Sequence, residues 1–201
     1  PLEVKRYQPL EVKRWVRENG PWVIAGIVLG AAGLFGYRYY QQYKATQALK
    51  AAAEYSAVKD LVEKNDRSKA AQSADDLKKN YPDTPYADHA DLLIARMHIE
   101  AGELANAVAR LSHVMDGSKD HTLREVARQR LARVYIAQGK PDQALQLLAN
   151  ATEPAFSARA HEIRGDALLA KQDAPGAIKE YSAALTDPDP SALERGFVEL
   201  K

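Results

Sequence analysis

One uncharged stretch near the start of the chain constrains how the rest of the protein is placed. No charged residue occurs between Glu18 and Arg38, and the 18 residues from Gly20 to Tyr37 would form about 27 Å of helix. That length approaches the roughly 30 Å hydrocarbon thickness of a bilayer. The stretch therefore predicts a single transmembrane helix, and we assign the anchor to residues 21–43.

Two other interpretations compete with a retained anchor: a cleaved secretory signal peptide and a buried helix of a soluble domain. A signal peptide needs small residues at a cleavage site just after the apolar run, and bulky tyrosines stand there instead. Aromatic residues also bracket both ends of the stretch, as in the interfacial belts of membrane helices. The predicted belt consists of Trp15, Trp22, Tyr37, Tyr39 and Tyr40. We therefore favour a retained anchor in contact with membrane lipid.

The basic residues on either side of the stretch predict its orientation. Five basic residues lie within residues 1–20. Only three basic residues, Arg38, Lys44 and Lys50, follow the stretch within about 15 residues, the distance over which flanking charges affect orientation. Because lysine and arginine concentrate on the cytoplasmic side of a membrane, the N-terminal segment is predicted to be cytoplasmic and residues 44–201 extracytoplasmic.

The predicted cytoplasmic segment, residues 1–20, has an amphipathic pattern. Trp15 and Val16 share one helical face and Arg14 lies on the opposite one. This arrangement is typical of a helix that lies on a membrane surface. The tripeptide Asn19–Pro21 then predicts a break, after which Pro21 starts a new helix.

The apolar stretch is rich in glycine, which leaves one smooth helical face. Gly26, Gly30 and Gly33 recur at the spacing of small-residue faces on which two membrane helices pack closely. We interpret them as a candidate contact face for another membrane helix. The alternative is that glycine is simply frequent in membrane helices.

Beyond the apolar stretch, the hydrophobic pattern is helical throughout. Five polar segments containing Gly, Pro, Asn or Asp interrupt it, which predicts loops. Those segments read EKNDRS, NYPDTP, DGSKD, QGKPD and DPDP. Since no alternating pattern of useful length occurs, an all-α fold is predicted.

Three segments of this helical part align with one another without gaps. They start at the small residues Ala95, Ala132 and Gly165. A second small residue follows after 12 positions (Ala107, Ala144 and Ala177), and a large one after four more (Leu111, Leu148 and Tyr181). Gly102 and Gly139 mark the turn in the first two copies. The copies are 37 and 33 residues apart, near the 34 of a tetratricopeptide repeat, so the pattern predicts an α-solenoid of three to four such repeats.

The third copy departs from the pattern, and weaker copies flank the set. Gln172 replaces the turn glycine, and Arg164 stands where a core leucine is usual. Upstream, residues 69–90 look like the second helix of a degenerate repeat whose first helix continues the membrane helix. Downstream, Ser191 and Glu194 form a capping-box pattern for a last helix that covers the stack.

No residue pattern in the sequence indicates catalysis or metal binding. The chain has five histidines, none paired at helical metal-ligand spacing, and it has no cysteine and no glycine-rich phosphate loop. After the first 20 residues, 23 basic and 24 acidic residues remain, which leaves no basic excess for nucleic acid. We therefore predict a protein that is not an enzyme and has no cofactor, metal, small-molecule substrate or nucleic-acid partner.

A helical-repeat domain offers instead a concave surface, built from its first helices, for a peptide or a partner helix. The repeat register predicts a groove made of Leu92, Arg96, Ile99, Gln129, Arg133, Ile136, Glu162, Asp166 and Leu169. Arg96 and Arg133 are equivalent residues, and each combines a charged fork with a nearby isoleucine. The alternative is that these arginines only keep the groove soluble.

Four pieces of the sequence together resemble one known family. VKRWVRENG leads into the glycine-rich span, GYRYYQQY follows it, and RLARVYIAQGKPDQALQLL and IRGDALLAKQDAPGAIKEY carry two repeats. This combination resembles the YfgM-type ancillary subunits of the SecYEG translocon of Gram-negative bacteria.

The resemblance implies a single-pass inner-membrane protein with a periplasmic tetratricopeptide-repeat domain. It also implies association with the SecYEG translocon and with a PpiD-like membrane-anchored periplasmic chaperone. Such a protein would act as a scaffold where secreted chains emerge. The alternative is a structural scaffold of another envelope complex, in cell division or outer-membrane assembly, which the same architecture could serve.

Overall fold

The computed structural model describes residues 9–149, 154–187 and 195–201. Within those residues the chain forms nine α-helices and no strand, so the predicted all-α class is confirmed. The chain divides into two compact units, and the division falls between Gln47 and Ala48. The capping-box pattern predicted at Ser191 and Glu194 lies outside the described residues.

The helices follow one another through short loops. Their bounds are α1 Pro9–Glu63, α2 Arg67–Asn80, α3 Pro85–Glu100, α4 Leu104–Gly117, α5 His121–Ala137, α6 Pro141–Leu148, α7 Pro154–Ala170, α8 Ala174–Thr186 and α9 Arg195–Glu199. The first four predicted breaks coincide with the loops that separate α1 from α2, α2 from α3, α4 from α5, and α5 from α6. Each contains residues that end a helix or start the next one.

The predicted break at Asn19–Pro21 was wrong, because α1 continues through it and Pro21 lies inside the helix. A proline lacks the N–H that would bond the carbonyl of Arg17, but one missing hydrogen bond bends a long helix more readily than it ends it. The side-chain amide of Asn19 donates to the carbonyl oxygen of Trp15 over 3.1 Å, within the helix rather than as a cap of a new one.

The same turn ends the first helix of four successive helix pairs. One residue in each turn has a left-handed backbone: Asn65 (φ 57°), Gly102 (φ 75°), Gly139 (φ 71°) and Gln172 (φ 65°). The N–H that follows it donates to the carbonyl five residues back, from Glu103 to His98 over 2.8 Å and from Asp173 to Leu168 over 2.9 Å. This is the Schellman geometry that closes a helix. The repetition confirms an α-solenoid of four repeats. The degenerate first copy has the same turn, and so does the last copy, at the residue that the repeat register predicts.

Small and large residues alternate in the core as the repeat pattern predicts. The small residues at the helix crossings are buried: Ala95, Ala107, Ala132, Ala144, Gly165 and Ala177. Leu111, Leu148 and Tyr181 are buried at the equivalent large positions. Val198 of α9 packs against Tyr181 at the end of the stack. The first helix of each repeat is thereby held at a fixed register against its neighbours.

Candidate membrane-helix face and partner groove

α1 carries the one stretch within the described residues that is long and apolar enough to cross a membrane. None of its most apolar window is buried in the structure. Large side chains lie exposed along it, with Trp22 at 80 % and Phe35 at 71 % of their full accessibility. A row of exposed large apolar residues is unfavourable in water. This exposure argues against the buried helix of a soluble domain, one of the three interpretations considered for the stretch.

The glycine face of α1, which we define as Gly26, Gly30 and Gly33, is open in the structure. A Cβ atom added at any of the three would meet no heavy atom within 4 Å. No described residue of the chain therefore fills the space that the missing side chains leave. Contact of this face with another membrane helix stays a prediction.

The predicted aromatic belt is exposed at all five of its residues. Trp22 and Tyr37 are separated by about 22 Å along the helix axis, and Trp15 and Tyr40 by about 38 Å. The inner separation is shorter than the roughly 30 Å hydrocarbon layer by less than about 10 Å. The outer separation is shorter than the 40–45 Å thickness that includes the headgroups, again by less than about 10 Å. The separations are compatible with the interfacial role, which stays a prediction.

The nine predicted groove residues occupy three equivalent positions on α3, α5 and α7. At the first position the side chains are interior: Leu92 is 5 % exposed, Gln129 8 % and Glu162 3 %. Gln129 Nε2 donates to the carbonyl oxygen of Phe156 over 2.9 Å and so ties α5 to α7. These three side chains therefore expose little surface, although Gln129 and Glu162 still line cavities of the groove. Their role in binding stays a prediction.

The second position carries the accessible charges of the groove. Arg96 is exposed and its Nε donates to Glu100 Oε1 over 2.7 Å. Arg133 is also exposed and its guanidinium donates to Glu162 Oε2 over 3.1 Å. Asp166 is partly buried at the equivalent place. Two arginines of successive repeats can therefore reach a molecule in the groove.

The third position forms an apolar row beside those charges. Ile99 and Leu169 are exposed, and Ile136 is half-buried against the core. An exposed aliphatic next to an arginine fork suits a polypeptide, which has both apolar and polar groups. The groove as a binding surface stays a prediction.

Lys201 forms ion pairs with the two acidic residues at one end of the groove. Its Nζ lies 3.1 Å from Glu162 Oε1 and 2.6 Å from Asp166 Oδ1. The same ammonium group lies 4.7 Å from the ring centre of Phe197. Both predicted acidic groove residues are thus paired within the chain. The repeat pattern gave no signal for this pairing, because Lys201 lies beyond the last repeat.

Two adjoining cavities open along this face. One, of about 350 Å³, lies between α5 and α7 and includes Val126, Arg130 and Phe156 in its lining. The other, of about 400 Å³, reaches Lys201. Arg133 and Arg159 line both. In the part of the chain that the structure describes, no group of three or more acidic or histidine side chains is arranged to hold a metal ion.

Comparison with known proteins places these features in a family. A family model described as a tetratricopeptide repeat-like domain matches residues 13–201. A Haemophilus influenzae protein named ancillary SecYEG translocon subunit is 30 % identical over 191 residues, which cover 95 % of this chain and 92 % of that protein. The chain belongs to the family of ancillary SecYEG translocon subunits.

Two further relatives carry the same name. The Neisseria gonorrhoeae protein is 31 % identical and the Escherichia coli protein 32 % identical, over 94 % and 91 % of this chain and 91 % and 88 % of their own lengths. No solved structure matches the chain. The resemblance seen in the sequence pieces is thereby confirmed for an ancillary translocon subunit. Since the match includes both the apolar stretch of α1 and all four repeats, the two belong to one family architecture, and together they fit an inner-membrane protein.

Proposed function

We propose that this ancillary translocon subunit is a non-enzymatic scaffold that acts at the SecYEG translocon of the inner membrane. The observation that carries the proposal is similarity over 95 % of the chain to a relative named for that complex. The repeat architecture supports it, because tetratricopeptide solenoids present extended surfaces to other proteins. Family and fold both point to an adaptor rather than a catalyst.

We propose the following arrangement in the membrane. Residues 1–20 are cytoplasmic, residues 21–43 span the bilayer, and residues 44–201 are periplasmic. The excess of basic residues before the apolar stretch supports this orientation.

The glycine face of α1 is the part that we propose contacts a membrane helix of the translocon. Its open surface supports close approach, since an approaching helix can gain dispersion contacts where the side chains are missing. A bulky apolar residue such as Leu29 suits contact with lipid as well as contact with another helix. The proposal therefore depends on the glycines alone.

The groove is the part that we propose contacts periplasmic polypeptides. The resemblance to YfgM-type subunits suggests two of them, a PpiD-like membrane-anchored chaperone and the secreted chain as it emerges. The accessible Arg96 and Arg133, each with an aliphatic neighbour, support contact with polypeptide of either kind.

Site-specific photo-crosslinking tests the scaffold. A photoreactive residue placed at Gly30 or at Arg133 in the full chain is activated in inner-membrane vesicles, and the products are identified by mass spectrometry. We expect a SecYEG component from Gly30 and a periplasmic chaperone or a secreted chain from Arg133. A matched probe at Lys79, an exposed residue at the end of α2, controls for nonspecific collisions.

Different products would decide against the proposal. If neither position yields a translocon component, its placement at SecYEG fails. If cell-division or outer-membrane assembly proteins are captured instead, the alternative envelope scaffold is the correct assignment.

A further inference from the structure

Arg130 differs from the other arginines of the groove in its partners. Arg96 pairs with Glu100, and Arg133 and Arg159 both pair with Glu162. Across the described residues, no acidic side chain lies within ion-pair distance of the Arg130 guanidinium, although the side chain is accessible. Among the described residues, none therefore competes as an ion-pair partner for the hydrogen-bond donors of this groove arginine.

The surroundings of Arg130 are positively charged. Burial lowers the pKa of Arg130 below its ordinary value, and the nearby positive charge of Arg96 lowers it further. Arg133 and Arg159 line the same cavity between α5 and α7 and add to the positive potential. An anionic group entering this cavity would be attracted by all of these charges.

The buried carboxylate of the groove, Glu162, is engaged by other cations. Glu162 Oε2 already accepts from Arg133 over 3.1 Å and from Arg159 over 3.2 Å. Its Oε1 accepts from Lys201 over 3.1 Å. Glu162 thus shares a single negative charge among Arg133, Arg159 and Lys201, which leaves the groove around Arg130 positively charged.

The core packing does not require an arginine at this place. The equivalent residues of the adjacent repeats are apolar: Leu93 in α3, which is partly buried, and Ile163 in α7, which is fully buried. An aliphatic residue therefore fits this position of the repeat. Arg130 instead lies beside Val126 and Phe156, which give the cavity an apolar wall.

We propose that Arg130 receives an acidic side chain of a bound polypeptide segment, and that an apolar side chain next to that carboxylate packs on Val126 and Phe156. The proposal rests on the proposed function of the groove and specifies the class of segment that the groove selects. A carboxylate forms paired hydrogen bonds with a guanidinium in a way that an amide does not. Acidic–apolar segments are thus preferred over neutral ones of the same shape.

Peptide binding to the purified full chain tests this selection. The chain is placed in nanodiscs of zwitterionic lipid, and fluorescence anisotropy follows a short fluorescein-labelled peptide of alternating glutamate and leucine. The comparison peptide has glutamine in place of glutamate. We expect the wild-type chain to bind the glutamate peptide about tenfold more tightly, with the difference shrinking as salt is raised.

Substitutions then assign the difference to one residue. Arg130→Gln is expected to remove most of the tenfold preference without changing affinity for the glutamine peptide, and Arg130→Lys to keep part of it. Arg67→Gln, which removes an exposed arginine on α2, is the matched control and is expected to leave both affinities unchanged. Far-UV circular dichroism checks that each variant keeps its helices.

Equal affinity of the wild-type chain for the two peptides would overturn the proposal. So would an Arg130→Gln variant that keeps the preference, or one that loses affinity for both peptides alike. The assay contains no translocon, so its failure leaves the crosslinking result at Gly30 unaffected. Conversely, loss of the translocon crosslink would not alter peptide selection by the groove.

Discussion

Gly165 of α7 lies directly against the ring of Tyr181 in α8. A Cβ atom added at Gly165 would fall 2.6 Å from Cδ1 of that ring, closer than real carbon atoms approach. The ring is held in place because the Tyr181 hydroxyl donates to Asp166 Oδ1 over 2.8 Å. Burial, together with this hydrogen bond, raises the pKa of Tyr181 above its ordinary value, so the hydroxyl keeps its proton. The smallest residue at one repeat position thus accommodates the largest at another.

The other repeats show the same compensation of volumes. Ala95 is buried in one core cluster with Leu111, and Ala132 in another with Leu148. In the first repeat the sizes are reversed, since Val58 stands at the small position and Ala74 at the large one. Among the repeats, the summed volume of the two side chains at the helix crossing therefore varies less than the volume at either position.

Enlarging Gly165 should destabilise the last repeat. Gly165→Ala forces its new methyl into the Tyr181 ring, and we expect a loss of about 1–3 kcal/mol in the free energy of unfolding. Urea denaturation of the full chain in detergent, followed by circular dichroism, measures it. Tyr181→Leu in the same chain should recover part of the loss, because it restores the Ala–Leu pair of the neighbouring repeats. Gly117→Ala is the control, since a methyl there meets only His113 at 3.8 Å; a loss as large as that of Gly165→Ala would contradict the explanation.

Replacing Gln172 by glycine should stabilise the chain. Gln172 has φ 65°, a left-handed conformation that side chains with a Cβ adopt at a cost of roughly 1 kcal/mol. Gln172→Gly is therefore expected to raise the free energy of unfolding by up to about 1 kcal/mol. The reverse change at the equivalent turn, Gly139→Gln, should lower it by a similar amount. Equal stability of all three chains would show that this backbone conformation carries no strain.

Local chemistry explains why the helix ends and turns were predictable from the sequence. A glycine such as Gly102 or a proline such as Pro141 acts on its own backbone, so its effect is visible without knowing the fold. Pro21 is the exception, because a single proline inside a long helix only removes one hydrogen bond. Even the departure at Gln172 marked a real feature, since the residue adopts the glycine conformation.

The groove was less predictable, because it depends on contacts between repeats. Gln129 and Glu162 occupy positions that face the concave side in the repeat register, yet both are buried where α5 and α7 meet. Lys201 pairs with Glu162 from beyond the last repeat, which no periodic pattern describes. Arg130 could have been noticed, since an arginine stands there in place of the aliphatic residues of adjacent repeats. That no acidic residue of the described chain pairs with it became visible only in the structure.

Asp91 joins three helices through one buried carboxylate. It is 1 % exposed, and it lies 2.8 Å from Arg110, 3.3 Å from Lys78 and 3.4 Å from His113. Without the Asp91 charge, the partly buried cations around it lose their ion-pair partner. Asp91→Asn is therefore expected to lower the free energy of unfolding by roughly 3–5 kcal/mol. Urea denaturation measures the change.

Asp75→Asn is the matched control for this network. Asp75 pairs with the same Arg110, but its side chain is 58 % exposed, and we expect a loss of at most about 1 kcal/mol. A similar loss for both variants would mean that burial of Asp91 contributes little.

Glu180 should make the last repeat sensitive to acid. Burial acts to raise the pKa of Glu180, but hydrogen bonds with His161 and Arg164 outweigh it, so the pKa lies below its ordinary value of 4.5. Glu180 Oε2 accepts from Arg164 Nε over 3.0 Å, and Arg164 also donates to the carbonyl oxygen of Leu148. A lowered carboxyl pKa stabilises the folded state above the unfolded pKa, and that stabilisation is lost as the pH falls.

We therefore expect the free energy of unfolding to decline as the pH falls below about 4.5, with Glu180 contributing to the slope. Glu180→Gln should make the decline shallower, and Arg164→Gln should act in the same direction because it removes a donor to that carboxylate. Urea denaturation at a series of pH values measures the slopes. An unchanged slope in Glu180→Gln would assign the acid sensitivity to other carboxylates.

The proposed orientation can be tested directly because the chain contains no cysteine. Glu18→Cys and Lys79→Cys each introduce a single thiol at an exposed residue, one before the apolar stretch and one in the repeat domain. A membrane-impermeant maleimide added to spheroplasts should label Lys79→Cys at once and Glu18→Cys only after the membrane is opened with detergent. The reverse result would place the repeats in the cytoplasm and remove the groove from contact with secreted chains. A released chain that is labelled at Lys79→Cys but lacks the Glu18→Cys thiol would indicate a cleaved signal peptide, because Glu18 precedes the apolar stretch and would be removed with it. A released chain that carries both thiols would indicate a soluble form, so the two variants together distinguish the three interpretations of the apolar stretch.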